Sequence, residues 1–140
     1  TLFRSTVEEN IKVALHHTTN YGLIDGMLHT PKYRHEEFRI RKEAMKYLKI
    51  FGMTKTAEYR AGSLPYGAQR RLEIMRALAT KPKLLLLDEP TSNLDSLNEA
   101  VILRSLKEES AGKTVVLVSH RASTMRIADV THSVETGRVS

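Results

Sequence analysis

Four consecutive leucines, Leu84 to Leu87, run straight into Asp88, Glu89 and Pro90. Starting at Lys83, so short an apolar run ended by charge reads as a strand of a parallel sheet, buried beneath helices on both faces. A second run, Thr114 to Ser119, has the same character. Between them Val101, Leu103 and Leu106 fall within a helix expected to start near Asp95. Asp129 to Glu135 predicts a weaker third strand, broken by Gly137. Strand, helix, strand, helix, strand is the rhythm of a parallel α/β sheet.

The residues before this pattern read as helices. Thr6-Val7-Glu8-Glu9 has the T-x-x-E form of a capping box, predicting a helix through Val13 and Leu15 to about Thr19. Gly22 and Gly26 bracket a short apolar turn or helix, Leu23 to Leu28. Thr30-Pro31 reads as a cap followed by proline at the first helical position, and Gly52 as the left-handed stop of that helix. Within it Phe38, Arg41, Met45, Leu48 and Phe51 recur at spacings of three and four, which predicts one stripe for packing against neighbouring helices. The expected division is a helical subdomain over 1–63 and an α/β part over 64–140.

Composition narrows the classes. With no cysteine the chain has neither a disulfide nor a thiolate metal site, which is compatible with a reducing cytosol. No apolar run approaches the about 20 residues that cross a bilayer, and the N-terminus does not read as a secretory leader. The chain opens at Thr1 rather than Met, as expected of a fragment. A net charge of +6 permits contact with nucleic acid, but no dense basic tract accompanies it.

Chemistry is expected where the strands end, since ligands of open α/β sheets bind at the carboxyl ends of their strands. Neighbours on an extended chain point to opposite sides, so Asp88 and Glu89 can take different tasks. Asp88 suits Mg²⁺ held through water, because a hard cation takes oxygen ligands. Glu89 suits orienting or deprotonating an attacking water. The alternative is a strand merely capped by acidic loop residues. Ser119-His120-Arg121 puts a histidine at the same end of the sheet, where an imidazole can bond a phosphate oxygen. His16, His17, His29, His35 and His132 lack such a position and read as surface residues.

Asp88-Glu89-Pro90-Thr91, Ser92-Asn93-Leu94-Asp95 and Ser119-His120-Arg121 resemble, in order and spacing, the Walker B, D-loop and switch-histidine motifs of ABC transporter ATPases. Leu64-Pro65-Tyr66-Gly67-Ala68-Gln69-Arg70-Arg71 resembles the family's signature motif, usually LSGGQ. The resemblance implies the C-terminal part of a parallel-sheet, P-loop-type ATPase core that couples ATP hydrolysis to transport. It implies catalysis by Glu89 and His120, Mg²⁺ at Asp88, and nucleotide contacts from Leu64, Gly67, Gln69 and Asp95. Asp95 is also expected as the cap of its helix. The helix opening near Gly67 would turn its free N–H groups toward a phosphate held by a second cassette in a head-to-tail dimer. A membrane permease is the other implied partner, with the chain at the cytoplasmic face of the plasma membrane and no nucleic acid. Val7 to Arg60 resembles the helical subdomain of branched-chain amino acid importers.

Three departures qualify these implications. Pro65, Tyr66 and Ala68 replace a serine, a glycine and a glutamine of the signature, which removes a hydroxyl and an amide contact. No segment has the form G-x-x-x-x-G-K-[ST], and Gly112-Lys113-Thr114, which imitates its end, leads into a strand rather than a helix. Gln69 is the sole glutamine, so the family's Q-loop residue is missing, as is an adenine-stacking aromatic. The chain alone is therefore expected not to turn over ATP. Up to Pro90 the resemblance is to importers, whereas from Thr91 it is to cassettes fused to exporter membrane domains, in which Arg-x-Ser-Thr follows the histidine. That split points to a recombined or engineered chimera, with a divergent natural cassette as the other reading. Three function classes stand: an ATPase part needing an N-terminal half, a non-catalytic module docking on a permease, and a basic nucleic-acid binder.

Overall fold

Local signals at helix ends set most of the architecture. In the computed structural model residues 4–19, 23–135 and 138–139 are described. Helix α1 spans Val7–Leu15 and opens on the expected capping box: the Glu9 N–H donates to Thr6 Oγ1, and the Thr6 N–H to Glu9 Oε2. It stops earlier than predicted, with one 3₁₀ turn over His16–Thr18. The Thr18 and Thr19 hydroxyls donate to the carbonyls of Leu15 and His16, and such local bonds compete with helix propagation.

Helix α2 covers Leu23–Leu28, so Gly26 lies inside it rather than flanking it, and Gly22 lies outside the described residues. The long helix α3, Pro31–Ile50, begins at Thr30 as read, with the Tyr33 N–H donating to Thr30 Oγ1. It ends in a Schellman motif. Gly52 adopts φ of 65°, which lets the Met53 N–H donate to the Leu48 carbonyl and the Gly52 N–H to that of Lys49. The stripe read on α3 is corrected. Phe38 is 70% exposed, and the buried row is Ile40, Ala44, Tyr47, Leu48 and Phe51. Ile40 lies two positions after Phe38, a rotation of about 200°, so the chosen phase put the wrong face inward at its N-terminal end.

Helix α4, Tyr66–Ala79, is the most enclosed element. Leu72, Met75 and Leu78 are fully buried as read, joined by Ile74 and Ala79. Strand β1, Leu84–Asp88, follows, then helix α5, Ser96–Glu109, and strand β2, Thr114–Val118. On α5 Ile102 is buried alongside the expected Leu103 and Leu106, while Val101 is only partly covered. The two strands pair in parallel with Leu84 opposite Thr114 and Asp88 opposite Val118. Helix α6, Ala122–Met125, precedes β3, Val134–Glu135, and β4, Arg138–Val139.

The third strand differs from expectation. Only Val134–Glu135 is extended, and it pairs antiparallel with β4 instead of joining the parallel sheet. Residues 129–133 are exposed and include Asp129, Thr131, His132 and Ser133, too polar for a buried strand. Gly137 lies outside the described residues. Among them, therefore, the parallel sheet has two strands.

One cluster of buried side chains runs from Val7 on α1 through α3 and α4 to Leu106 on α5. Polar bonds reinforce it. Arg71 Nη1 donates to the Phe51 carbonyl at 3.0 Å, and Ser105 Oγ to the Ile50 carbonyl at 3.3 Å, so α4 and α5 both satisfy the C-terminus of α3. Near the start of the chain, N–H groups of Val7 and Glu8 donate to the carbonyls of Tyr59 and Ala57, and the Ala61 N–H to that of Ser5.

This core covers one face of the sheet. Leu85 is buried and Leu87 packs against the core, whereas Leu84 and Leu86 are 61% and 64% exposed beside exposed Val116 and Val118. The strands are thus half-covered, not buried on both faces. Flat apolar edges and faces recruit other chains. Sedimentation of the purified chain is expected to show self-association, which Leu84→Lys with Leu86→Glu should reduce. A monodisperse monomer with slow amide exchange throughout β1 and β2 would contradict this.

Candidate functional site

The carboxyl end of the two-stranded sheet gathers Asp88, Glu89 and His120 of the sequence-predicted residues. Asp88 ends β1 with an exposed side chain. The Glu89 N–H still donates to the Val118 carbonyl at 2.9 Å, but the backbone turns sharply there. Glu89 has φ of 43°, a left-handed conformation uncommon for a residue with a Cβ, and such strain concentrates at functional sites. The expected divergence of two neighbours on an extended chain therefore does not apply; Glu89 has already left the strand.

That turn brings Glu89 to the loop after β2. Glu89 Oε1 accepts the His120 backbone N–H at 3.2 Å and lies 2.7 Å from His120 Nδ1. With Glu89 ionised, the proton of that contact sits on Nδ1, because a carboxylate only accepts. The His120 side chain is 79% exposed, and Nε2 has no partner among the described residues. Glu89 Oε2 is buried and, like Thr91 Oγ1, has no hydrogen-bond partner among the described residues. A buried acceptor without a partner is costly unless something polar completes it.

Helix α4 braces the turn. Arg70 Nε donates to the Pro90 carbonyl and Nη2 to the Asp88 carbonyl, each at 3.3 Å, while Nη1 pairs with Glu73 at 2.9 Å. Sequence reasoning placed Arg70 in a motif without a task. Its signal was position: next to Arg71, but about 100° around the helix, it reaches the strand end while Arg71 reaches α3.

The start of α4 has no side-chain cap, since Pro65 occupies the N-cap. Leu64 is a core side chain, and its carbonyl accepts Gln69 Nε2 at 2.8 Å, so these two predicted residues bond each other. Gly67 is set by close approach. A Cβ there would meet Asn98 Nδ2 at 2.6 Å. Asn98 in turn donates its side-chain N–H to Asp95 Oδ1 and its backbone N–H to Asp95 Oδ2 at 3.2 Å, capping α5. The Asp95 carboxyl is held below its usual range by the Asn98 side chain first and its backbone second. Gly67 and Asp95 are thus joined through Asn98, which sequence reasoning missed, although three residues after a capping aspartate is where such a donor belongs.

A separate concavity of about 360 Å³, lined by Leu106, Lys107, Lys113, Thr114 and Ile127, lies at the opposite end of β2. It contains none of these groups. Among the described residues no three His, Asp or Glu side chains cluster as a metal site, and no helix is long and apolar enough to cross a membrane.

Comparison with known proteins follows the same lines. The family model described as "ABC transporter" matches residues 2–92. A Haemophilus influenzae protein named "Probable ABC transporter ATP-binding/permease protein" is 40% identical over 139 residues, covering 99% of this chain and 23% of that protein. The Escherichia coli "High-affinity branched-chain amino acid transport ATP-binding protein LivG" is 36% identical over 122 residues, 85% of this chain and 48% of that protein. The chain therefore spans about half the length of LivG and less of the Haemophilus protein. Among solved structures, the dimeric post-hydrolysis state of the ATP-binding cassette MJ0796 bound to ADP and Pi matches with a TM-score of 0.68 and 30% identity, over 89% of this chain and 50% of that one. The ADP conformation of the cassette MJ1267 matches with a TM-score of 0.64 and 25% identity, over 91% and 50%.

The Gly67 contact yields a test. Gly67→Ala should force the Asn98 side chain aside, and because that side chain is flexible and part-exposed the loss in urea unfolding should stay within about 1 kcal/mol. It should also push Asn98 off Asp95, so the Asp95 carboxyl titrates higher. Because folding lowers that carboxyl, its contribution is present above the unfolded value and lost as pH falls through the folded one. Adding Asn98→Ala should make Gly67→Ala nearly neutral; strictly additive effects would rule out the contact.

Proposed function

Because the chain belongs to the ABC transporter family, we propose that it supplies the signature, Walker B, D-loop and switch-histidine part of a cassette ATPase whose hydrolysis drives transport. The observation that carries this is the Glu89–His120 contact at 2.7 Å, at the strand end that also presents Asp88. In this reading residues 1–63 form the face toward a permease and 64–140 the catalytic part, although one hydrophobic core crosses that division.

Each residue then has a task set by its surroundings. Glu89, held through Oε1 by His120, is the carboxylate that orients or deprotonates an attacking water. With Nδ1–H given to Glu89, His120 Nε2 can donate to a phosphate oxygen of the nucleotide when the ring carries a proton on both nitrogens. Arg70 holds the carbonyls around Asp88 and Glu89, fixing the distance between base and histidine. Gly67 opens the uncapped α4 toward the phosphate of a second, head-to-tail cassette, with Gln69 and Leu64 shaping that loop and Asp95 facing the neighbouring site. Asp88 would hold Mg²⁺, which, when bound, neutralises charge on the phosphates. The donor set fits this metal, because Mg²⁺ is typically bound by one or two carboxylates plus waters and substrate phosphates rather than an all-protein cage.

A covering layer belongs to the same proposal. The exposed row of Leu84, Leu86, Val116 and Val118 is the surface on which the phosphate-loop half of a cassette would pack. We assign the assembled protein to the cytoplasmic face of a membrane, beside a permease, without nucleic acid. Amino acid import is the first reading of cargo, supported by the similarity to LivG. A cassette fused to its permease is the second, supported by the Haemophilus protein's match over 99% of the chain.

Purified alone, the chain should hydrolyse no ATP above background, because phosphoryl transfer depends on positioning the phosphates. Combined with a phosphate-loop half it should gain turnover. Glu89→Gln should then cut kcat by ~10²-fold or more, and loss of His120 should also be severe. Equal rates for wild type and Glu89→Gln in the assembled enzyme would remove Glu89 from the role of base.

A further inference from the structure

Among the described residues the His120 side chain has one partner, Glu89, and it is largely open to solvent, so its place depends on the loop that carries it. That loop hangs on a carboxylate in the first turn of α5. Glu99 Oε2 accepts Arg121 Nη1 at 2.5 Å, and Glu99 Oε1 accepts the hydroxyl of Ser123. Both oxygens of one side chain are thus engaged by the residues one and three positions after the histidine. Glu99 is only 14% exposed, a burial that an unpaired carboxylate would not tolerate. No other partner receives the Arg121 or Ser123 side chains among the described residues.

The rest of the loop is braced internally. The Arg121 N–H donates to Ser119 Oγ at 3.2 Å, and the Thr124 N–H to the Arg121 carbonyl at 3.1 Å, with Thr124 itself buried. The segment 119–124 is thus tied together internally and bonded to α5 through Glu99. Glu99 also lies four residues after Asp95, and residues at that spacing share a helix face. Its N–H donates to the Asp95 carbonyl at 3.0 Å.

We infer that Glu99 is a positioning residue that ties the His120 loop to the helix turn capped by Asp95, so that a displacement of that turn is transmitted to the histidine. The inference rests on the catalytic reading of His120 only for its consequence, not for its geometry. Glu99 touches no reacting group; it acts by holding His120 against Glu89.

The experiment reads geometry and activity separately. In the full chain labelled with ¹⁵N, the neutral His120 ring should show the Nδ1-protonated tautomer. Glu99→Ala should shift it toward the Nε2-protonated form that free imidazole favours, and amides 119–124 should exchange about tenfold faster. Glu99→Gln, which keeps an acceptor for Ser123 but loses the charge for Arg121, should fall between. Arg121→Met with Ser123→Ala attacks the same anchor from the loop side and should reproduce the alanine result, including where Glu99→Ala does not fold. In the assembled cassette Glu99→Ala should lower kcat about tenfold with KM for ATP little changed, as a misplaced group does. An unchanged tautomer and unchanged exchange in either folded variant overturns the inference. A moved tautomer in a cassette whose wild type hydrolyses nothing supports the anchor and refutes the ATPase reading instead.

Discussion

Burial of α4 is the constraint on which the other parts depend. Leu72, Met75, Leu78 and Ala79 are fully enclosed, and α1, α3 and α5 all join the cluster around them. Two consecutive arginines then use the helix's rotation to reach in different directions. Arg71 satisfies the end of α3, and Arg70 satisfies the carbonyls that follow β1. Arg71 is partly desolvated, which lowers its pKa, and Asp95 opposes that shift. Breaking the pair of contacts would leave part-buried carbonyls unpaired at the end of α3 and after β1.

Much of this was legible in the sequence because end signals are local. The Thr6 capping box, the Thr30-Pro31 start and the Gly52 stop each depend on a few adjacent residues, and each appears where the residues put it. Motif order likewise placed Glu89 and His120 at one end of one sheet. What could not be read were phases and third-party contacts. On α3 the charged background allowed two stripes, and only packing against α1 and α4 selects Ile40 over Phe38. The left-handed turn at Glu89 depends on tertiary contacts, since no local residue type announces it. Arg70, Asn98 and Glu99 each reach a partner 18 to 31 positions away in the sequence, beyond any short motif.

The sheet is where the described chain is least complete as a packing problem. Two parallel strands with one row turned inward give β1 and β2 a firm register but one open face. Parallel sheets are ordinarily covered on both sides. The polar end of the same strands is finished differently, with carbonyls and N–H groups claimed by Arg70, Glu89 and His120. A site can therefore be ordered at the tip of a sheet whose flank is still bare, because the two are held by different forces.

The pairing of Ser5 and Thr6 with residues 57–61 carries a consequence for biosynthesis. Chains leave the ribosome N-terminus first. Helix α1 can form its own turns early, but the partners that fix its entry appear some fifty residues later, and helix α4, which packs against it, comes later still. During that interval α3 is already available to shelter the apolar side of α1. The nascent chain thus holds a helical pair in waiting, and emergence of the segment after Gly52 closes the loop that sets its register.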